Sequence, residues 1–174
     1  MEQIINQIPE YGKDIKINIQ TLISEQNQIL SLKQIYGIAL ACAFATKNLH
    51  LIQDMQNEVQ KFLSDAEINA VKIASTIMAM NNIYYRFSHL TEDKEYSQMQ
   101  TGLRMRMLLD HKIEKIDFEF FSLAVSIING CGMCIDAHAN QLIKHGITKT
   151  QIQMVAKISA VINGFAQILT IENL

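Results

Sequence analysis

The sequence predicts an all-α chain folded as a compact helical bundle. Three observations carry this. Of 174 residues only one is proline, at position 9, and seven are glycine, too few turn residues for a sheet sandwich. Ser31-Leu-Lys-Gln34, Ser64-Asp-Ala-Glu67 and Thr148-Lys-Thr-Gln151 match the capping-box pattern, each before an apolar run. No segment sustains a two-residue alternation of apolar and polar side chains, so no strand is expected.

The elements follow in chain order. A first helix is expected at 11–24. The Ser31 box opens a second at 32–46, and a third follows at 48–62. The Ser64 box opens a fourth at 65–87. The charged and polar region 88–98 is the expected long loop, with a fifth helix at 97–109. A sixth at 117–128 is interrupted from a seventh at 132–145 by Asn129-Gly130, and Gly146 stands as a C′ stop. The Thr148 box opens the last, 149–171. No linker or low-complexity tract splits the chain, which reads as one domain over 1–174 with a sizeable core.

A faint internal repeat runs through this order. At an offset of 85, residues 34–44 align with 119–129, and at 82, Ile73-Ala74 and Asn81-Asn82 align with Val155-Ala156 and Asn163-Gly164. On that reading the first copy is chemically silent, with Thr46 and Leu49 where the second has Cys131 and Cys134. The active centre is then single and C-terminal.

Composition excludes several functions. Fifteen basic against 17 acidic side chains leave no strong basic surface for nucleic acid. The longest apolar stretch, 37–46, is about half the ~20 residues that span a bilayer, so no membrane partner is expected. Met1-Glu2-Gln3 lacks the basic flank of a signal peptide. Three cysteines make no even disulfide framework, which points to the cytoplasm and to a CxxC that is reduced at rest.

The chemistry concentrates in Cys131-Gly132-Met133-Cys134 and the following Ile135-Asp136-Ala137-His138. On a helix Cys131, Cys134 and His138 stand at i, i+3 and i+7, sharing one face. Two thiols so spaced can close a disulfide. A thiol titrates near pKa ~8.5, so a reactive one needs a device that lowers it. Asn129-Gly130 places Cys131 near a helix start, where the dipole favours an anion. His138, one turn beyond Cys134, can take that thiol's proton. The spacing leaves both thiols as candidates for the attack.

A histidine base needs an orienting group. Glu119, set among Phe118, Phe120 and Phe121, is the candidate, since a carboxylate there is costly unless paired. It precedes Cys131 by twelve residues, about 18 Å along an unbroken helix. It reaches the thiols only if the chain turns back near Asn129-Gly130.

Glu119, eleven residues, then Cys-x-x-Cys-x-x-x-His resembles the alkylhydroperoxidase AhpD family. Flanking matches are Ile8-Pro-Glu-Tyr-Gly-Lys-Asp-Ile-Lys, Met80-Asn-Asn-Ile-Tyr-Tyr-Arg86, Gly102-Leu-Arg-Met105 and Ser126-Ile-Ile-Asn-Gly-Cys131, spread over nearly the whole chain. The resemblance implies a carboxymuconolactone-decarboxylase-like helical subunit, usually trimeric, that reduces organic hydroperoxides through its thiols. It implies the peroxiredoxin AhpC as a partner. Electrons would come from the lipoyl group of a 2-oxoacid dehydrogenase acyltransferase and its dihydrolipoamide dehydrogenase, with no cofactor bound to the chain itself. It implies that Glu119 and His138 relay a proton to Cys134, that Cys134 attacks and becomes a sulfenic acid, and that Cys131 resolves it as the Cys131–Cys134 disulfide. One departure is Met133, where some members carry a histidine, so a second proton donor is absent there.

Two other readings use the same residues. A decarboxylase of the same fold would not need two thiols. A zinc module could recruit Cys131, Cys134, His138 and Glu119, but three ligands crowded on one helix fit a structural zinc site poorly. Elsewhere, Cys42 reads as a small core residue. His50, His89, His111 and His145 read as surface, and Met78, Met80, Met105 and Met107 as core filler. Tyr84, Tyr85 and Arg86 read as packing or pocket lining.

Overall fold

The computed structural model describes residues 5–23 and 29–173, and over these it is helical with no strand. Among the described residues seven α-helices have both ends defined: α1 (Lys13–Leu22), α2 (Leu32–Thr46), α3 (Leu49–Val59), α4 (Asp65–Leu90), α5 (Lys115–Ile128), α6 (Gly132–Lys144) and α7 (Lys149–Ile171). The all-α expectation holds. The opening residues Met1 to Gln3 and residue 24, the expected end of the first helix, lie outside the described residues.

All three capping boxes form. Ser31, Ser64 and Thr148 accept from the backbone N–H groups of Gln34, Glu67 and Gln151, whose side chains accept from the cap N–H in return. Each box satisfies two of a helix's orphan donors at once, which is why these starts are sharply set. Lys33 then ties three helices together, with its Nζ 2.7 Å from Asp117 of α5 and 3.2 Å from Glu67 of α4. Gln34 adds a 3.0 Å bond to the same Asp117 carboxylate.

Helix α2 is the spine of the bundle. Every residue from 35 to 43 is buried, and the helix packs against α3, α4, α5 and α7. A helix buried on all sides needs apolar residues on all sides, which explains the absence of an amphipathic pattern there. Close approach is achieved at Gly37, where an added Cβ would lie 2.3 Å from the Phe121 ring. Helix α7 is long and apolar enough to cross a membrane, although Lys157 interrupts its apolar run. Its apolar side is spent inside the protein, with Val155, Ile158, Ile162 and Phe165 in the core against α2 and α5.

One expected element is absent. The helix expected at 97–109 is replaced by 3₁₀ turns at Lys94–Ser97 and Arg106–Leu109 joined by irregular chain. Gly102 adopts φ +65°, a left-handed conformation that no α-helix interior tolerates. Met99, Leu103, Met107 and Leu109 remain exposed, so no apolar stripe holds a helix against the core and Met107 is not core filler. Smaller differences have local causes. Helix α3 begins after Asn48, because Lys47 turns left-handed and Asn48 becomes the cap. Helix α4 runs to Leu90, into the expected loop.

The order α2–α3–α4 is echoed by α5–α6–α7. Their starts at 32, 49 and 65 recur at 115, 132 and 149, an offset of 83 to 84 rather than 85. In this register Asn48, the cap of α3, stands opposite Cys131, the cap of α6, and Leu51 opposite Cys134. Thr46 and Leu49, the positions paired with the cysteines by sequence, are each displaced by two residues.

Gly37→Ala is expected to destabilise the protein although alanine is the better helix former. The intruding methyl must displace the fully buried Phe121 ring, an overpacking cost of about 1–3 kcal/mol. A lower midpoint in thermal or urea unfolding checks this; an unchanged or higher midpoint would mean the α2–α5 contact is not tight.

Candidate active site

The site is made by one chain reversal. Helix α5 ends at Ile128, and Gly130 takes the left-handed conformation at φ +66°. The Cys131 N–H then bonds back to the Ser126 carbonyl at 3.1 Å, and that of Gly130 to Ile127 at 3.1 Å. These are the two bonds of a Schellman motif. Cys131 therefore closes one helix and opens the next. Its Sγ accepts from the Cys134 N–H at 3.3 Å as the cap of α6.

The reversal folds α6 back along α5. His138 and Glu119 meet, with Nδ1 2.7 Å from Oε2. Their side chains are largely buried, where the carboxylate fixes the ring's orientation. Nε2 of His138 faces Met78 Sδ at 3.2 Å. Cys131 and Cys134 are joined as a disulfide, with Cα atoms 5.3 Å apart. The four residues singled out by spacing thus lie together in space.

The two cysteines differ in access. Cys131 is fully buried. Cys134 and His138 border a cavity of about 320 Å³ whose other walls include Met78, Tyr85, Met105, Leu108 and Met133. Of the residues left between packing and pocket, Tyr85 lines this cavity and Tyr84 packs edge-on against it. Met78 and Met105 are cavity wall rather than plain filler.

A polar chain missed at the sequence level supports the reversal from α4. Arg86 donates to the Asn129 carbonyl at 2.5 Å. The Asn129 amide donates to Asn82, and buried Asn82 donates to Ser126 Oγ, each at 3.0 Å. These bonds satisfy groups at the end of α5 that would otherwise be orphaned. Asn82 and Arg86 at i and i+4 were the available signal, since they share a helix face.

The remaining candidates separate. His50, His89 and His145 are exposed, as expected. His111 is not on the open surface: it is partly buried and stacked on Phe118 with ring centroids 4.1 Å apart. Burial holds its pKa below the usual histidine value, opposed by the nearby Glu119 charge. Cys42 is buried and its thiol is pushed up to about 12 by burial, a hydrogen bond with Ser159 partly offsetting this. Among the described residues no group of three or more His, Cys, Asp or Glu side chains converges as a metal site. Glu119 meets the imidazole Nδ1 rather than joining the two sulfurs around a common centre.

The chain as a whole is similar to known proteins. Residues 94–172 match the carboxymuconolactone decarboxylase family. Over 169 residues the chain is 51% identical to the alkyl hydroperoxide reductase AhpD of Coxiella burnetii, covering 97% of this chain and 96% of that protein. It is 46% identical over 172 residues to the AhpD of Hyphomonas neptunium, covering 99% and 94%. To that of Maricaulis maris it is 43% identical over 173 residues, covering 99% of each.

The burial pattern predicts an order of thiol reactivity. After reduction of the native protein, iodoacetamide should label Cys134 first, Cys131 later, and Cys42 not at all at pH 8. A raised pKa leaves Cys42 almost wholly protonated there, and burial blocks the reagent. Peptide mapping by mass spectrometry checks this, with Cys42 labelled only after denaturation. Early labelling of Cys42 would contradict the packing described.

Proposed function

This chain belongs to the AhpD family of alkyl hydroperoxide reductases, and we propose that it reduces alkyl hydroperoxides through a Cys131–Cys134 dithiol/disulfide cycle. The observation that carries the reading is the 2.7 Å Glu119–His138 contact beside a disulfide whose Cys134 borders an apolar cavity. The cavity walls suit an alkyl group. The buried histidine–carboxylate pair suits proton movement at a thiol.

In the proposed cycle His138, oriented by Glu119, takes the proton of the Cys134 thiol. The thiolate attacks the terminal peroxide oxygen, so an S–O bond forms as O–O breaks. The leaving alkoxide takes the proton held by His138 and departs as the alcohol. The Cys131 sulfur, giving up its own proton, attacks the Cys134 sulfenic acid, closing the disulfide with loss of water. An external dithiol then reduces the disulfide. Met133 supplies no proton, so His138 carries this role without a second donor from that position.

The proposed reductant is a lipoyl group on a 2-oxoacid dehydrogenase acyltransferase, recharged by dihydrolipoamide dehydrogenase. A slim apolar chain ending in two thiols fits the cavity. Its second thiol releases the mixed disulfide by an intramolecular step of high effective concentration. The oxidised peroxiredoxin AhpC is the proposed protein partner, reduced through the same thiols. The proposed assembly is a homotrimer in the cytoplasm. Ile83, Phe87 and Leu90, exposed on one face of α4, offer apolar surface for such a contact.

Substitutions at the four site residues and one coupled assay test the cycle. Cys134→Ser should abolish turnover and sulfenic acid together. Cys131→Ser should stop turnover yet leave one oxidation at Cys134 that a sulfenic-acid reagent traps; trapping at Cys131 alone would reverse the two roles. His138→Ala should slow peroxide-driven oxidation by about 10²-fold or more, the usual contribution of a positioned base. It should also move the pH profile of Cys134 alkylation to higher pH, with Glu119→Gln giving a smaller shift in the same direction. Unchanged profiles would reduce the pair to packing. Finally, NADH oxidation coupled through dihydrolipoamide dehydrogenase and lipoamide should exceed that with glutathione or thioredoxin at equal thiol. Equal or faster turnover with thioredoxin would redirect the electron route.

A further inference from the structure

Met78, Met105 and Met133 all stand on the wall of the Cys134 cavity, but their sulfurs face different things. Met78 is buried, and its Sδ lies 3.2 Å from His138 Nε2. Met105 is half-buried, and its Sδ accepts from Asn81 Nδ2 at 3.3 Å. Met133, on the first turn of α6 beside Cys134, is 38% exposed. Its sulfur has no hydrogen-bond partner among the described residues. A buried sulfur is out of reach of an oxidant, and one that accepts from an N–H has a lone pair engaged. Met133 is therefore the open thioether of this cavity.

A second observation gives that thioether something to do. The cavity is present while Cys131 and Cys134 are joined. A hydroperoxide entering at that stage meets no thiolate, the better nucleophile, because both sulfurs are already oxidised. The next nucleophile within the same walls is a thioether.

We propose that Met133 is an oxidation site for alkyl hydroperoxides, used when the disulfide has not been reduced. The proposal rests on the peroxidase reading above, which makes the hydroperoxide the occupant of the cavity. The Met133 sulfur attacks the terminal peroxide oxygen, so an S–O bond forms as O–O breaks. The proton carried by that oxygen passes to the leaving alkoxide, which departs as the alcohol. The thioether is oxidised to a sulfoxide by the electron pair it gives up, and the hydroperoxide is reduced by the same pair. The product places a polar, chiral group on an apolar wall, and a methionine sulfoxide reductase restores the thioether. Met133 gives no proton to the thiol cycle but takes the oxidant that the cycle leaves behind.

The test gives excess cumene hydroperoxide to the disulfide form and maps methionine sulfoxide by mass spectrometry of peptides. Met99 and Met107 are the controls, since they are 51% and 44% exposed and lie outside the walls of this cavity. Met133 should oxidise about tenfold faster than either, because bound hydroperoxide is held beside it. Hydrogen peroxide has no apolar body to lodge in the cavity, so with it the three should oxidise within about twofold of one another, by exposure alone. One equivalent of cumene hydroperoxide given to the reduced protein should consume thiol and leave Met133 intact. Met99 or Met107 keeping pace with Met133 under cumene hydroperoxide would overturn the inference. So would oxidation of Met78 or Met105 ahead of it, or an equal preference for Met133 under hydrogen peroxide. Each of these results leaves the peroxidase reading standing, provided the reduced protein loses its thiols. Reduced protein that keeps its thiols under cumene hydroperoxide would instead overturn the peroxidase reading itself.

Discussion

The site depends on a single backbone reversal at Asn129-Gly130-Cys131. A straight continuation of α5 would carry the thiols about 18 Å from Glu119. The left-handed Gly130 ends α5 and returns the chain, so that His138 on α6 meets Glu119 on α5. Any other residue at position 130 would hold that conformation under strain. The turn also assigns Cys131 two structural tasks, closing the Schellman motif with its N–H and capping α6 with its Sγ. The position of the thiol pair is thus fixed by backbone bonds before any side chain chooses a rotamer.

The polar residues around the reversal show how a bundle with so apolar a core tolerates it. A helix end inside a protein leaves carbonyls unpaired. Arg86 covers one of these, the Asn129 carbonyl, and the Asn82 amides connect the turn to Ser126. These bonds also set α4 and α5 side by side in the same direction, since Asn82 meets Ser126 and, one turn on, Arg86 meets Asn129. That alignment brings Met78 and Asn81 to the cavity beside His138. The support of the turn and the shape of the cavity therefore come from one helix face.

Much of the fold was legible because its signals are local. The capping boxes set three helix starts, and 32–46 and 149–171 were bounded to the residue. The fifth expected helix failed for the opposite reason. Nothing within 97–109 opposes helix strongly except Gly102, and whether its apolar residues meet a core is a tertiary fact. The register of the echoed helices was off by two because small apolar residues in α2 and α5 align almost equally well at neighbouring offsets, whereas caps align only one way. For the site, Cys131, Cys134, His138 and Glu119 could be named from spacing and resemblance. Asn82 and Arg86 could not be given tasks, because the part such a side chain plays is set by which partners the fold brings to it.

The comparison of Cys131 with Asn48 shows what the thiol costs and what it gains. Asn48 accepts from the Leu51 N–H at 2.9 Å, a strong cap, whereas Cys131 Sγ accepts from the Cys134 N–H at 3.3 Å, and neutral sulfur is a weak acceptor. A thiolate at the same place is different: it is an anion at the positive end of a helix dipole. Spacing alone set this device against the His138 device, one favouring each cysteine. In the proposed cycle they act in succession. Cys134, on the cavity and beside the histidine pair, meets the peroxide. Cys131, buried behind it, needs no access to substrate but must lose a proton to attack the sulfenic sulfur. The helix terminus favours that second ionisation without a second base, which is consistent with Met133 standing where a histidine could have been.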